Sequence, residues 1–338
     1  NLDFVAVACG GFHNVALKAD GSVVAWGMND FGQCNIPSDD MSVTAVAAGL
    51  YHSMGLLSDG SIVAWGAGQP GQSGFPHYGQ CDIPAPNRDF TSVAAGLYHS
   101  LGLKADGSVL AWGGNANGQC SLPPANACFV AVASIWDHAI ALKTDGSVVL
   151  WGDDGFGECT VPSPNAEFVA VGTGWFHNLA VKESGTIVAW GYNASGQCDV
   201  PAPNAGFTAV AGGCSHSLGL MEDGTIVAWG DDGYGQCEVP SPNAGFVAIA
   251  AGLEHSLGLR SDGSIAAWGD DEFGQCDVPH PNGGFVAIAA GGMHSLGLRS
   301  DGSIVAWGAN DHGQCDVPAP NTGFVSVAGG ASHSLGLK

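Results

Sequence analysis

Nine histidines are the first residues in this chain that could do chemistry: His13, His52, His99, His138, His177, His216, His255, His294 and His333. They recur every 39 residues, except between His52 and His99, where the step is 47. Imidazole titrates near neutral pH and ligates metals, so such a series asks whether this is an enzyme or a metalloprotein. A residue repeated once per copy reads instead as framework, its ring hydrogen-bonded to loop groups, and the serines that follow most of the histidines read the same way. The sequence holds no G-x-S-x-G elbow, H-E-x-x-H pair or phosphate-binding glycine loop. The expectation is a non-enzymatic protein that needs no cofactor.

Two further sets have ligand chemistry. The doublets Asp153-Asp154, Asp231-Asp232 and Asp270-Asp271 offer clustered carboxylates to a hard cation, but their spacing does not alternate as in a twelve-residue calcium loop, and they read as solvated acidic loops rather than a metal site. Eight of the eleven cysteines occupy one repeat position in Gly-Gln-Cys or Gly-Glu-Cys. Equivalent positions of adjacent repeats lie farther apart than the ~7 Å Cα limit for a disulfide, so these eight are expected to be small buried hydrophobes. Any disulfide should involve Cys9, Cys128 or Cys214, which break the pattern.

The elements that carry these residues follow from one copy, residues 285–321. Residues 285–291, FVAIAAG, are an apolar run of strand length, strand A, expected to be buried on both faces. Residues 294–299 form strand B and lead into Ser-Asp-Gly, a hairpin signal. Residues 303–308, SIVAWG, form strand C. The segment GQCDVPAPN returns the chain, its prolines excluding it from a central strand. No stretch shows a helical period. Meanders that each leave apolar faces must pack face to face, which is what a β-propeller does. A β-solenoid would repeat every ~20 to 30 residues and needs no Asp-Gly hairpin. The expected fold is all-β: a β-propeller of ~39-residue antiparallel blades, eight full repeats and a partial ninth at residues 324–338, in a single domain over 1–338 with a loop insertion at 67–78.

The pattern G-x-x-H-S-L-x-L, D-G-x-[IV]-x-x-W-G and N-x-x-G-Q resembles the repeat of the regulator of chromosome condensation family, along the whole chain. The short unit and the Val-Pro after Gly-Gln-Cys are more similar to its bacterial members, among them a secreted β-lactamase inhibitor protein. The resemblance implies a propeller used for protein binding, without naming a partner.

Strand parity places the variable residues. With A, B and C antiparallel, the A–B loop and the end of C share one end of each blade, and the B–C hairpin lies at the other. Aromatic residues outside the framework collect at that first end: Phe12, Tyr51, Tyr98, Trp136, Trp175 and Phe176 in A–B loops; Phe31, Tyr192, Tyr234 and Phe273 after strand C; Phe75 and Tyr78 in the insertion. Asp231, Asp232, Asp270 and Asp271 fall there too, whereas Lys18, Lys104, Lys143, Lys182, Arg260, Arg299 and Lys338 end strand B at the hairpin end, with Arg88 nearby. These aromatic and acidic residues are the candidate partner-binding set.

Charge limits the partner. Eight Lys plus Arg against 31 Asp plus Glu give a net charge of −23, which repels nucleic acid and anionic membranes and favours a protein partner with a basic or neutral surface. No run reaches the ~18 apolar residues of a membrane helix, so no membrane insertion is expected. Low lysine with abundant Gly, Ala, Ser and Asn points to an extracellular or cell-surface protein. The alternative partner is self: the ninth repeat has strands A and B but no C, and its unpaired edge suits an extracellular filament or surface array.

Overall fold

The computed structural model describes residues 4–38, 41–135 and 137–338, and every regular element among them is a β-strand. In the eighth repeat, strand A is Phe285–Ala290, strand B His294–Arg299 and strand C Ile304–Gly308. The same meander forms eight three-stranded sheets in the order A-B-C, followed by the pair Ser326–Gly329 and Ser334–Leu337. The expected propeller blades are therefore present. No helix among the described residues is long and apolar enough to cross a membrane.

Each hairpin is built by its Asp-Gly, except in the fifth repeat, where Ser184-Gly185 takes its place. The Asp301 carboxylate accepts from the Ser303 N–H at 2.9 Å and the Ser303 hydroxyl at 2.6 Å, and Gly302 takes φ +77°, which a side chain would strain. The returning segment does not form a fourth strand. Its asparagine stands in for one: Asn321 Oδ1 accepts from the Ile304 N–H and its Nδ2 donates to the Ile304 carbonyl, both at 2.8 Å. Asn87, Asn126, Asn204, Asn243 and Asn282 pair with strand C of their own repeats in the same way. One side-chain amide thereby satisfies an edge residue on both sides.

The apolar core lies between consecutive blades. Leu257, Leu259 and Ile265 of the seventh blade pack with Phe285 and Trp307 of the eighth, and the cluster repeats along each of two compact units, Asn1–Gly155 and Phe156–Lys338. Strand B is the buried strand, with five of its six residues inaccessible in most blades. Strand A departs from the expectation of burial on both faces. It is an edge strand, and a register shift between Phe285 and Ala287 turns Val286 outward at 55% exposure.

The cysteines differ from expectation as well. All eleven are free, and of the eight in the repeat position only Cys81 is buried. The others sit half-buried, and the thiols of Cys34, Cys120, Cys198, Cys237, Cys276 and Cys315 donate to a backbone carbonyl six residues earlier, as from Cys237 to Asp231 at 3.1 Å and from Cys276 to Asp270 at 3.3 Å. They act as weak loop clips rather than core filler.

Candidate protein-binding face

Below the variable loops runs a polar network that explains the repeated histidines. His216 Nε2 donates to Ser256 Oγ of the next blade at 3.0 Å, and Ser256 donates its own proton to the Gln236 carbonyl at 2.9 Å. Trp268 Nε1 donates to the same carbonyl at 2.9 Å. The links His52–Ser100, His177–Ser217, His255–Ser295 and His294–Ser334 repeat it, and His99 reaches Ser134 because Ala139 stands at its usual serine position. Burial holds the imidazoles neutral: desolvation lowers His52 and His216 to about 3 and His99, His177, His255 and His294 to about 4. Their proximity is set by glycine, since a Cβ on Gly291 would run into the His294 ring and the Gly330 carbonyl. These histidines are inter-blade bolts.

Backbone hydrogen bonds define the two ends of a blade. Ala309 N–H donates to the Met293 carbonyl, and Asp270 N–H to the Glu254 carbonyl, joining the start of each linker to the A–B loop. At the other end, Phe324 N–H donates to the Gly302 carbonyl of the hairpin. The cations lie at that hairpin end. Lys18, Lys104, Lys143, Lys182, Arg260, Arg299 and Lys338 each sit over the strand A phenylalanine of their own blade, at 4.4 Å for Lys338 and Phe324 and 6.0 Å for Lys18 and Phe4. Arg88 lies 3.5 Å from Asp89, so all eight basic residues of the chain are placed away from the A–B loops.

The A–B loop end carries the predicted aromatic residues in two groups. In the first unit, Tyr51 is the hub, 5.9 Å from Phe12, 5.0 Å from Phe31, 6.0 Å from Phe75 and 6.2 Å from Tyr98. Tyr78 meets Tyr98 edge-on at 5.2 Å. Phe12, Phe75 and Tyr78 are exposed, whereas Phe31, Tyr51 and Tyr98 are half-buried walls. In the second unit, Phe156 packs edge-on against Phe176 at 5.6 Å and Tyr192 at 4.8 Å, and Trp175 lies 6.2 Å from Phe176. Phe156 is an exposed member alongside Phe176. Tyr234 at 62% and Phe273 at 40% exposure stand in neighbouring blades. Trp136 lies outside the described residues.

The aspartate doublets divide their work. The second member caps the loop: Asp232 Oδ1 accepts from the Cys237 N–H at 2.9 Å, and Asp271 Oδ1 from the Cys276 N–H at 2.8 Å, as Asn310 does for Cys315. The first member meets the repeat glutamine: Gln236 Nε2 donates to Asp231 at 2.7 Å and to Glu254 at 2.9 Å, and Gln275 Nε2 to Asp270 at 2.8 Å. Desolvation, then Asp231, raises the Glu254 carboxyl; desolvation, then Asp153, raises that of Asp137. The role of these buried glutamines was hidden in the sequence, where Gly-Gln-Cys reads as scaffold.

The Regulator of chromosome condensation (RCC1) repeat matches residues 4–33, 43–72, 90–119, 168–197, 207–236, 246–275 and 285–314. The chain belongs to the RCC1 repeat family. No curated protein matches it. Among solved structures, it is similar to the ectodomain of the Physcomitrella patens receptor kinase CR4, at 24% identity and TM-score 0.54, covering 73% of this chain and 70% of that one. It is also similar to Saccharomyces cerevisiae Prp20p, studied for its binding to Gsp1p and histones, at 20% identity and TM-score 0.52, covering 99% and 82%. Yeast RCC1 (Prp20) bound to Kap60 matches at the same identity and score, covering 99% and 80%. At such identities the likeness shows the fold, an RCC1 propeller, a fold that fits a protein-binding scaffold.

Proposed function

We propose that this RCC1-repeat protein is a non-enzymatic scaffold whose partner, a protein with a basic or neutral surface, lands on the A–B loop end of its blades. The observation that carries this reading is the separation of chemistry between the ends. At one end aromatic side chains stand with carboxylates and no Lys or Arg; at the hairpin end aspartates such as Asp262 and Asp301 share the surface with the cations, which are committed to phenylalanine rings, backbone carbonyls or Asp89. Aromatic anchors supply affinity, and the acidic field raises the rate of encounter with a basic surface. The yeast relative's binding to Gsp1p, histones and Kap60 supports a protein as the class of ligand. The chemistry-capable histidines support a non-enzymatic role, since they are buried and bonded to neighbouring serines.

The test is capture of a partner from the native source, followed by association kinetics on the purified pair. Tyr234→Ala and Phe273→Ala should each weaken binding by about 2 kcal/mol, roughly 30-fold, if they are anchors. Asp231→Lys with Asp270→Lys, made in a background whose thermal melt is checked because both carboxylates also hold glutamine amides, should slow association and flatten its salt dependence. An association rate indifferent to both salt and those reversals would remove the electrostatic part of the reading.

A further inference from the structure

The buried glutamine that begins each linker's return has a donor to place. Its Oε1 accepts from the N–H two residues earlier, as from Phe31 to Gln33 at 3.0 Å and from Tyr78 to Gln80 at 2.8 Å. The Nε2 of Gln119, Gln236 and Gln275 finds a carboxylate, and that of Gln80 finds the Pro76 carbonyl at 2.7 Å. Among the described residues Gln33 Nε2 has no partner, although Gln33 is 0% exposed. An unmade hydrogen bond at a buried amide costs about 1–3 kcal/mol, so this donor, like that of Gln197, stands apart from the four that are bonded.

The surroundings of Gln33 and Gln80 match. Two residues before each glutamine and eighteen after it stand aromatic rings in edge-on contact: Phe31 with Tyr51 at 5.0 Å and 66°, Tyr78 with Tyr98 at 5.2 Å and 72°. At Gln80 the chain fills the site itself. The insertion lays Phe75 against Tyr98 at 6.1 Å and buries Pro76, whose carbonyl takes the amide. At Gln33 the position of Phe75 is held by Met28 and the first linker has no insertion of its own; His77 and Phe75 of the second linker reach across to Phe31 and Tyr51, each at 6.0 Å, but among the described residues no carbonyl takes Nε2.

We propose that the Gln33 site, walled by Phe12, Phe31 and Tyr51, binds an extended segment of a partner protein in which an aromatic residue precedes a free carbonyl, an aromatic–proline turn above all. The insertion at Gln80 is the internal template: a ring on the paired aromatics and a carbonyl on Nε2. This deepens the proposed function, resting on its reading of the A–B loop end as the docking face, and names the chemistry read there. Apolar rings with one buried amide donor select an uncharged loop, which the net charge of −23 does not repel.

The probe is the peptide Ser-Gly-Phe-Pro-His-Tyr-Gly, copied from residues 73–79 with blocked ends, titrated into the full chain and followed by amide chemical shifts. Wild type should saturate, with the largest shifts at Gln33, Phe31 and Tyr51. Gln33→Leu should bind about tenfold more weakly, the factor one buried hydrogen bond is worth. Gln197→Leu, which removes the other unpartnered amide but has Ser195 and Ser215 at the flanking positions, should bind like wild type. Thermal melts keep the comparison interpretable: Gln33→Leu gives up the bond from the Phe31 N–H along with an unsatisfied donor, so it should melt lower than wild type by less than Gln80→Leu, which also loses the Pro76 bond. A peptide that fails to saturate at millimolar concentration, or binds Gln33→Leu and wild type alike, overturns the site. If a captured partner still needs Tyr234 and Phe273, that failure belongs to Gln33 alone and the scaffold reading stands.

Discussion

At the residue scale, the hydroxyl at the blade junction is the most exposed to mutation. Ser256 accepts from His216 and donates to the Gln236 carbonyl, so Ser256→Ala leaves the buried His216 Nε2 unmet and the Gln236 carbonyl with its Trp268 bond alone. The expected cost is about 1–3 kcal/mol, read as a lower urea midpoint with an unchanged slope. Position 139 supplies the natural control. Alanine occurs there, and the chain recovers the bond to His99 from Ser134 on the adjacent strand. Introducing serine at position 139 should therefore add little stability. The histidines and serines were legible as framework because they recur, but their pairing across blades was not: bonding partners lie 40 residues apart in most cases, and no local pattern encodes which hydroxyl meets which ring.

At the element scale, the blades are three-stranded because an asparagine side chain does the work of a fourth edge. Asn282→Ala removes both amide bonds to Ile265. The expected loss is about 1–2 kcal/mol, with faster hydrogen exchange at the Ile265 amide than at Leu257 in strand B. The hairpins, strand lengths and non-strand linker could be read from Asp-Gly, the apolar runs and proline. Strand A's bulge could not. It arises where Phe285 pairs with Arg299 while Ala287 pairs with Leu298, leaving Val286 outside a register that the apolar run alone does not specify.

At the scale of the whole molecule, the buried imidazoles make stability depend on acid. Their folded-state values of about 3 to 4 lie below the usual ~6.5, so the unfolded chain takes up protons first as pH falls. The contribution is complete above ~6.5 and is lost as pH falls toward 4, at up to about 1.4 kcal/mol per pH unit for each histidine. Asp137 and Glu254, whose carboxyls are raised, act in the opposite direction but are outnumbered. Urea midpoints should be flat from pH 8 to 7 and fall steeply from 6 to 4.5. A midpoint that held through pH 5 would mean that the histidine ladder is hydrated or opens at little cost.

The sequence by itself determined the repeat, the blade and the end at which its variable residues collect, because period, strand parity and turn chemistry are local properties that nine copies state repeatedly. It also separated the cations from the aromatic residues, since both occupy fixed repeat positions. Only the tertiary structure decided which of those residues work together. Tyr51 becomes a hub because the insertion folds back onto it, Asp232 and Asp271 become loop caps while Asp231 and Asp270 hold glutamines, and Gln33 and Gln197 keep amides that Gln80, Gln119, Gln236 and Gln275 have spent. The reason is physical: a side chain's partner is set by packing between blades, which joins residues whole repeats apart, and similar copies give different answers where the neighbours differ.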